Sequence, residues 1–502
     1  MKKTIRAIIR GLIVLIGLVI QIGIFVIVDI YLVEHVALIS SFYSVLGFLL
    51  VVGLIKNSKS YSYTLPWIII IIIFPLIGTI LYVTIGRNKR KSKILKLITE
   101  SEKESKKYLV QDESLRKEIE NNSKIKYLCD YTGYPVSKNN DVSYYPLGEI
   151  AFDAMLEELR KAQKFIFFEY FIVEKGKMWD SILEILEEKA SKGVDVRVMY
   201  DDFGCVTTLS NSYPKELEKK GIKCIPFNRL NAVAGVIMNH RDHRKILVID
   251  GKVAFSGGIN IADEYINITS KYGHWKDNAF KVSGDSVWNY TVMFLTMWNS
   301  YRNEDEDFTK FKADFSSKTR ENGYVIPYAE TPLDEEVTGE DTYLNIINQA
   351  NDYVYIFTPY LIVDTDILNS LTLAAKRGVD VRIVIPGIPD KKIVYTLTES
   401  YVEPLVKNGV KVYKYTPGFI HAKVFVSDDK IATVGTINMD YRSLYLHFEC
   451  GCYFEGVDVV DDIKKDVVDT IEKSKEITLK EATPNPIKGI WQSLLRLFAP
   501  LM

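Results

Sequence analysis

Hydrophobic residues are arranged along this chain in two different ways. Over the first 90 residues they form unbroken runs. Gly11–Val28 is interrupted only by Gln21, Val36–Ile55 contains no charge, and Leu65–Ile85 reads LPWIIIIIIFPLIGTILYVTI with Pro66 and Pro75 as breakers. At 18 to 21 residues, each run is long enough for a helix to cross a hydrocarbon layer about 30 Å thick. Three in succession predict an α-helical membrane anchor. Lys2, Lys3, Arg6 and Arg10 ahead of the first run would also suit a secretion signal, but the following VDIYLVEH offers no small-residue cleavage site, so an uncleaved helix is expected. Basic residues at the start and in GRNKRKSK (86–93) favour two cytoplasmic ends, which three full crossings cannot satisfy. Either one run, such as the Pro-broken third, is a re-entrant or interfacial hairpin, or one basic cluster lies on the far side.

Beyond residue 90 the pattern changes. Residues 91–140 are charged and helix-prone without a clear apolar stripe, and read as a linker. From 141 to 480, short β-branched and aromatic runs such as KFIFFEYFIV and VDVRVMY alternate with helical stretches such as MWDSILEILEEKASKG, an α/β texture. This part repeats itself. AQKFIFFEYFIV (162–173) is echoed by ANDYVYIFTPYLIV (350–363), KGVDVRVM (192–199) by RGVDVRIV (377–384), and KGIKCIPF (220–227) by NGVKVYKY (408–415). Ordered matches of this kind predict two duplicated lobes, over 141–310 and 311–480. The tail 481–502 places Ile487, Ile490, Trp491, Leu494, Leu495 and Phe498 on one helical side with Lys488 and Arg496 flanking, which suits either a core helix or a membrane-surface helix.

The repeat also carries chemistry. HRKILVIDGKVAFSGGIN (243–260) and HAKVFVSDDKIATVGTIN (421–438) share one frame: His243/His421, Lys245/Lys423, Asp250/Asp428, Gly257/Gly435 and Asn260/Asn438. On a strand, residues i and i+2 share a face, so each His emerges beside its Lys. The Asp falls at a turn near the strand end, where DGK and DDK follow. A second strand returns to a Gly–small–x–Asn corner (Gly257, Gly258 and Asn260; Gly435, Thr436 and Asn438), where glycine lets a ligand approach closely and the Asn amide can donate to an anionic oxygen. If the lobes meet about a pseudo-two-fold axis, two His, two Lys and two Asn surround one pocket. That is a phosphate site made of donors. One imidazole can attack phosphorus while the other protonates the leaving oxygen, with the cations stabilising the equatorial oxygens. No metal and no cofactor is called for, and there is no GxxxxGK[ST] loop for a nucleotide.

Composition narrows the classes further. Lys and Arg number 63 against 64 Asp and Glu, a net charge of -1, so no basic field marks a nucleic-acid partner. The histidines number only six, so two of them falling in one repeated frame outweighs the usual reading of a lone HxK as a solvated strand edge. The five cysteines form no zinc spacing; Cys450 and Cys452, two apart on one strand face, read as core. His240 could reach a headgroup. Glu169 and Tyr170, closing an apolar strand, could serve pocket or core.

The two frames resemble the paired signature of the phospholipase D superfamily, and the chain from about residue 40 onward is similar to bacterial cardiolipin synthases. The stretches that carry this are the third apolar run, FFEYFIV, NHRDHRKILVIDG, GGINIADEY, YGHWKDNAFKVSG and FIHAKVFVSDDKIATVGTINMDYRS. The resemblance implies two pseudo-symmetric lobes, each a mixed β-sheet flanked by helices, in a protein of the bacterial cytoplasmic membrane. It also implies transfer of a phosphatidyl group from one phosphatidylglycerol to another, giving cardiolipin and glycerol, through a phosphohistidine. His243 would be the nucleophile and His421 the general acid and then base, roles that pseudo-symmetry makes nearly interchangeable. Each His needs an orienting carboxylate. Glu449, 28 residues after His421, stands where the superfamily has one, and Asp277 in HWKDN is the candidate for His243. Relatives tend to carry Asn at His447 and Ser at Thr436. A phospholipase D acting on other phospholipids or alcohols, or an inactive membrane scaffold, remain the alternatives.

Overall fold

In KFIFFEY every second side chain enters a different core. Phe165 and Phe167 pack into one, and Ile166, Phe168 and Tyr170 into another, as a strand buried on both faces requires. Tyr353, Tyr355 and Phe357 divide from Val354 and Ile356 in the same way. The computed structural model describes residues 22–23, 33–56, 61–83, 93–229, 240–302, 306–315 and 323–501. The chain forms two compact units, residues 1–90 with Leu501, and residues 91–500.

In the first unit the run Gly11–Val28 lies outside the described residues, apart from Ile22 and Gly23. Helix α1 spans Val33–Lys56, α2 Tyr61–Ile73 and α3 Pro75–Leu81. Side chains of α1 are described from residue 41, about 24 Å of helix. Among the described residues no helix is long and apolar enough to cross a membrane. The third apolar run does break at its second proline. Phe74 leaves the helical region (φ -128, ψ 74), and the chain folds back until a Cβ on Gly78 would lie 2.5 Å from the carbonyl oxygen of Ile70.

The second unit opens with α4 (Lys93–Ser105), in the segment expected to be a linker. Leu95 and Ile98 are instead buried against α5 (Val287–Arg302), and the Ser101 hydroxyl donates to the Thr296 carbonyl at 2.9 Å. Leu95 and Ile98, with Ile94 partly buried beside them, dock the start of a helix whose later turns are charged.

Two sheets follow. The strands of the first are β1 (Asn140–Tyr145), β2 (Phe165–Tyr170), β3 (Asp195–Asp201), β4 (Lys223–Phe227), β5 (Lys245–Ile249), β6 (Val253–Gly257) and β8 (Ala279–Gly284), with the short β7 (His274–Lys276) outside it. Those of the second are β9 (Tyr324–Glu330), β10 (Tyr353–Phe357), β12 (Asp380–Pro386), β13 (Lys411–Tyr415), β15 (Val424–Ser427), β16 (Ile431–Gly435), β18 (Glu449–Glu455) and β19 (Ser474–Glu476). Outside it lie β11 (Leu361–Ile362), β14 (Gly418–Ile420) and β17 (Met439–Asp440). The orders are β1-β8-β6-β5-β2-β3-β4 and β19-β13-β12-β10-β15-β16-β18-β9. Apart from β19 they are one topology read in opposite directions, with three parallel strands and four antiparallel ones in each. The echoed sequences become β2/β10, β3/β12 and β4/β13. Their shared glycines Gly193/Gly378 and Gly221/Gly409 take φ between 79° and 98° in the turns before β3, β12, β4 and β13, a region glycine enters without strain.

Helices cover the outer faces, while the inner faces share one core that holds α5, Cys450 and Cys452. Phe280 of one sheet meets Phe454 of the other edge to face at 5.3 Å. Late in the chain α6 (Lys392–Lys407) lies on the second sheet, and α7 (Pro486–Phe498), capped by Asn485 through the Lys488 amide at 2.9 Å, packs on α6.

Candidate active site

The two lobes exchange backbone at the site. His243 precedes β5 by two residues and His421 precedes β15 by three, and each lies in an extended segment that crosses to the opposite lobe. The His243 amide donates to the Phe448 carbonyl at 2.8 Å, and the Phe448 amide to the Arg241 carbonyl at 2.8 Å. In the other half β14 pairs in parallel with β7, and the His421 amide donates to the Lys276 carbonyl at 2.7 Å. Each histidine is thus fastened to the residue just before a carboxylate of the other lobe: Phe448 before Glu449, and Lys276 before Asp277.

The side chains follow the crossing. Nδ1 of His243 lies 2.9 and 2.8 Å from the two oxygens of Glu449, and Nδ1 of His421 lies 2.7 Å from Oδ2 of Asp277. The expected assignment of Asp277 to His243 and Glu449 to His421 is therefore corrected: each imidazole takes its carboxylate from the opposite lobe. Sequence distance within a lobe misled because each histidine segment crosses to pair with the other lobe. Burial pushes the His243 imidazole down to about 3, against the opposing pull of Glu449, and lowers His421 to about 4 with Lys423 adding to the effect. Both rings are neutral at pH 7. Burial alone would raise Glu449 and Asp277, but the paired histidines outweigh it, and both carboxyls are held ionised below their usual range. Each carboxylate therefore accepts from an Nδ1–H, leaving Nε2 of each ring as the basic nitrogen.

The lysines are buried beside the rings. Lys245 Nζ donates to the His243 carbonyl at 2.6 Å; Lys423 Nζ donates to the His421 carbonyl and lies 3.0 Å from Nδ1 and 3.1 Å from Nε2 of that ring. Burial lowers Lys245 to about 8, and burial together with the charge of Lys245 lowers Lys423 to about 7. Phe171 packs on His243 with ring centres 4.9 Å apart, and Tyr265 and Trp275 each approach His421 to 5.5 Å.

Several predicted site residues have other duties. Asp250 and Asp428 were counted with the catalytic frame as well as placed at its turns; they lie seven residues past the histidines, about 23 Å of extended chain. Asp250 accepts from the amides of Gln163, Lys164 and Phe165 at 2.7 to 2.9 Å, and Asp428 from those of Asn351, Asp352 and Tyr353 at 2.8 to 3.0 Å. They tie the hairpin to the start of β2 or β10. Gly257 and Gly435 make room for a neighbouring strand rather than a ligand: a Cβ would lie 2.6 Å from Ala279 Cα and 2.5 Å from the Cys450 carbonyl oxygen. Thr436 turns its hydroxyl to Glu449, and Gly258 leaves space for Asp277.

Asn260 and Asn438 remain at the corner. The Asn260 side-chain carbonyl accepts from the Ile172 amide at 3.2 Å, and one of its N–H groups is given to the Tyr265 hydroxyl at 2.7 Å, the other having no partner among the described residues. Asn438 is buried with no hydrogen-bond partner for Oδ1 among the described residues. His240 binds the Leu446 carbonyl at 3.0 Å, Glu169 is ion-paired with Arg244 at 2.8 Å, and Tyr170 is core.

The buried Asp201–Arg241 and Asp242–Arg244–Glu169 network behind His243 escaped the sequence. His447, marked in the sequence as a departure from relatives, has its Nδ1 3.8 Å from Glu449 and its ring centre 5.9 Å from that of His243. The donor atoms of His243, His447 and Glu449 lie within 4.8 Å of one another, the spacing of a cation site. Glu449 is already committed to His243 and Thr436, however, and Lys245 adds positive charge.

Two neutral imidazoles, each braced by a buried carboxylate and accompanied by a lysine, define a phosphodiester-transfer site of the phospholipase D class. A family model described as "Cardiolipin synthase, PLD-like domain" matches residues 155–298 and 343–469, and one described as "Phospholipase_D-nuclease N-terminal" matches 45–87. An uncharacterized protein of Streptococcus mutans serotype c is 44% identical, with 90% of this chain and 99% of that protein covered. A cardiolipin synthase of Alkalihalophilus pseudofirmus is 34% identical over 90% of this chain and 92% of its own length. Among solved structures, phosphatidylserine synthase of Haemophilus influenzae Rd KW20 shares the fold, with a TM-score of 0.55, 14% identity, and 72% and 95% of the two chains covered. The chain belongs to the bacterial cardiolipin synthases of the phospholipase D superfamily.

Proposed function

We propose that this enzyme joins two phosphatidylglycerols into cardiolipin and releases glycerol by two displacements at one phosphorus. The carrying observation is the pair of carboxylate-braced imidazoles, each completed by the opposite lobe. Nε2 of neutral His243 attacks the phosphorus of the first phosphatidylglycerol, and the bond to the glycerol oxygen breaks as that oxygen takes a proton that Lys423 passes through Nε2 of His421. The terminal hydroxyl of a second phosphatidylglycerol then yields its proton to His421 and attacks phosphorus, releasing His243. One phosphodiester replaces another, so no nucleotide is consumed.

The roles are assigned on the asymmetry between the lysines. Lys423, with its pKa near neutrality, lies 3.1 Å from Nε2 of His421, where it can keep that nitrogen supplied with a proton. Both lysines donate to the carbonyl of their own histidine, and among the described residues Lys423 is the one that also approaches its ring nitrogens. Lysines and the Asn260 and Asn438 amides hold the equatorial oxygens of the transferring group.

The N-terminal unit is read as the membrane anchor, supported by the large apolar side chains it exposes, among them Phe42, Phe48, Leu49, Ile72 and Phe74. The test uses purified full-length protein, phosphatidylglycerol vesicles and EDTA, with His421→Ala in parallel. Cardiolipin and glycerol are expected from the first and not from the second. Phosphatidic acid in place of cardiolipin would make the enzyme a hydrolase, and loss of activity with EDTA would overturn the metal-free scheme.

A further inference from the structure

Helix α7 is docked along one side and bare along another. Leu495 and Ala499, which follows its last turn, are buried in the outer core of the second lobe, and the Gln492 side-chain amide donates to the Thr396 carbonyl at 3.3 Å. The face beside this seat presents Ile487 (83% exposed), Ile490 (66%), Trp491 (52%), Leu494 (48%) and Phe498 (36%). An apolar stripe of this size on a terminal helix calls for a covering surface.

Three observations identify the cover. First, α7 contains no carboxylate, so nothing along it repels an anionic headgroup. Secondly, its cations are retained by the protein: Lys488 Nζ donates to Glu399 at 2.8 Å, and the Arg496 guanidinium lies 4.1 Å above the Tyr401 ring. Attraction must therefore come from the apolar side chains and Trp491, the composition of a helix that lies in a lipid interface. Thirdly, the stripe continues toward the active site. Residues 483, 488 and 492 bond to residues 403, 399 and 396 in turn, so α7 runs antiparallel to α6 and toward its first turn. There Ile393 is exposed, and before it the exposed Ile388. The amide of Ile388 donates at 3.1 Å to the carbonyl of Gly418, in the strand that leads into His421.

We propose that α7 lies in the headgroup layer of the membrane that supplies the substrates, and with Ile388 and Ile393 holds the His421 end of the second sheet against that surface. This inference rests on the lipid substrates argued above. Because the cations are already engaged, the contact is driven by apolar burial and should weaken little with salt.

The experiment uses the full-length protein with Cys129→Ser, the remaining cysteines being buried. It is reconstituted into vesicles of phosphatidylglycerol and phosphatidylethanolamine and labelled with an environment-sensitive fluorophore at Ile490→Cys or, as the control, at exposed Asp462→Cys. The label at 490 is expected to emit at shorter wavelength and to be quenched by brominated lipid; the label at 462 is expected to be quenched by iodide. Iodide reaching both labels equally would overturn the proposal. So would a label at 490 shielded from iodide yet untouched by brominated lipid, because a protein would then be the cover. In a second arm, the triple variant Ile490→Glu, Trp491→Glu, Leu494→Glu should lose about tenfold of its cardiolipin formation on vesicles while turning over water-soluble short-chain phosphatidylglycerol within twofold of wild type. Equal effects on both substrates would overturn it. Absence of cardiolipin from the wild type would refute the substrate reading alone, since the quenching result does not depend on turnover. The labelled proteins also decide the matter if the triple variant does not fold.

Discussion

A Cβ added to Gly258 would lie 2.0 Å from Oδ1 of Asp277. The carboxylate that holds His421 thus occupies the space a side chain at 258 would need. In the other lobe the matching residue, Thr436, keeps its side chain and uses the hydroxyl to hold Glu449. Gly258→Ala should push Asp277 out of line with His421 and lower kcat by about 10²–10⁴-fold, the worth of a positioned acid–base group. Thr436→Ser, which retains the donor, should stay within a few-fold of wild type while Thr436→Val does not. Steady-state turnover of both lobes' variants, with circular dichroism to confirm folding, checks this.

The crossed pairing is tested by a phosphatidyl ester of p-nitrophenol, whose leaving group needs no proton. With His421→Ala it should release a burst of about one equivalent of nitrophenolate and stall, because only the second step requires the base. His243→Ala should give no burst. Glu449→Gln should then resemble the His243 variant and Asp277→Asn the His421 variant. The opposite assortment would restore pairing within each lobe.

The lysines set the alkaline limit. With Lys423 at about 7 and Lys245 at about 8, against 10.5 for a lysine in water, their charge is lost as pH rises through 7 to 8. The free enzyme then loses cations that attract an anionic substrate, so kcat/KM should fall above pH 7 to 8, by at most tenfold per pH unit for each group. Lys423→Arg should move that limb upward, because a guanidinium keeps its charge. A flat profile to pH 9.5 would show that the lysines are not so displaced.

Asp250 and Asp428 should matter for stability rather than chemistry. Asp250→Ala leaves three amides at the start of β2 without their acceptor, a loss of about 2–4 kcal/mol. The expected outcome is a lower unfolding midpoint with kcat per folded molecule close to wild type, read by denaturation and by active-site titration.

Much of this architecture was visible in the residues. The duplication follows from repeated β-branched runs and turn glycines, which act locally and leave a periodic trace. His243, Lys245, His421 and Lys423 were legible because i and i+2 on a strand have only one geometry. What could not be seen depended on how one lobe meets the other. The exchange is fixed for Asp277 by the β7–β14 pairing and for Glu449 by the pairing of Asp242 with Phe448, and nothing in either segment states which histidine it will face. The docking of α4 was missed because Leu95 and Ile98 make too short a stripe to stand out among charges. Asp250 and Asp428 were misplaced since their repetition marks equally a brace or a catalyst.

The backbone exchange at the site makes the two halves interdependent. Each histidine is completed by the partner lobe, so neither half is a working unit by itself. Carriage in one chain keeps each histidine beside its complement, while the glycine at 258 against the threonine at 436 shows that the halves need not match in detail. It also binds their fates: damage to either lobe's carboxylate segment is felt first at the histidine encoded in the other.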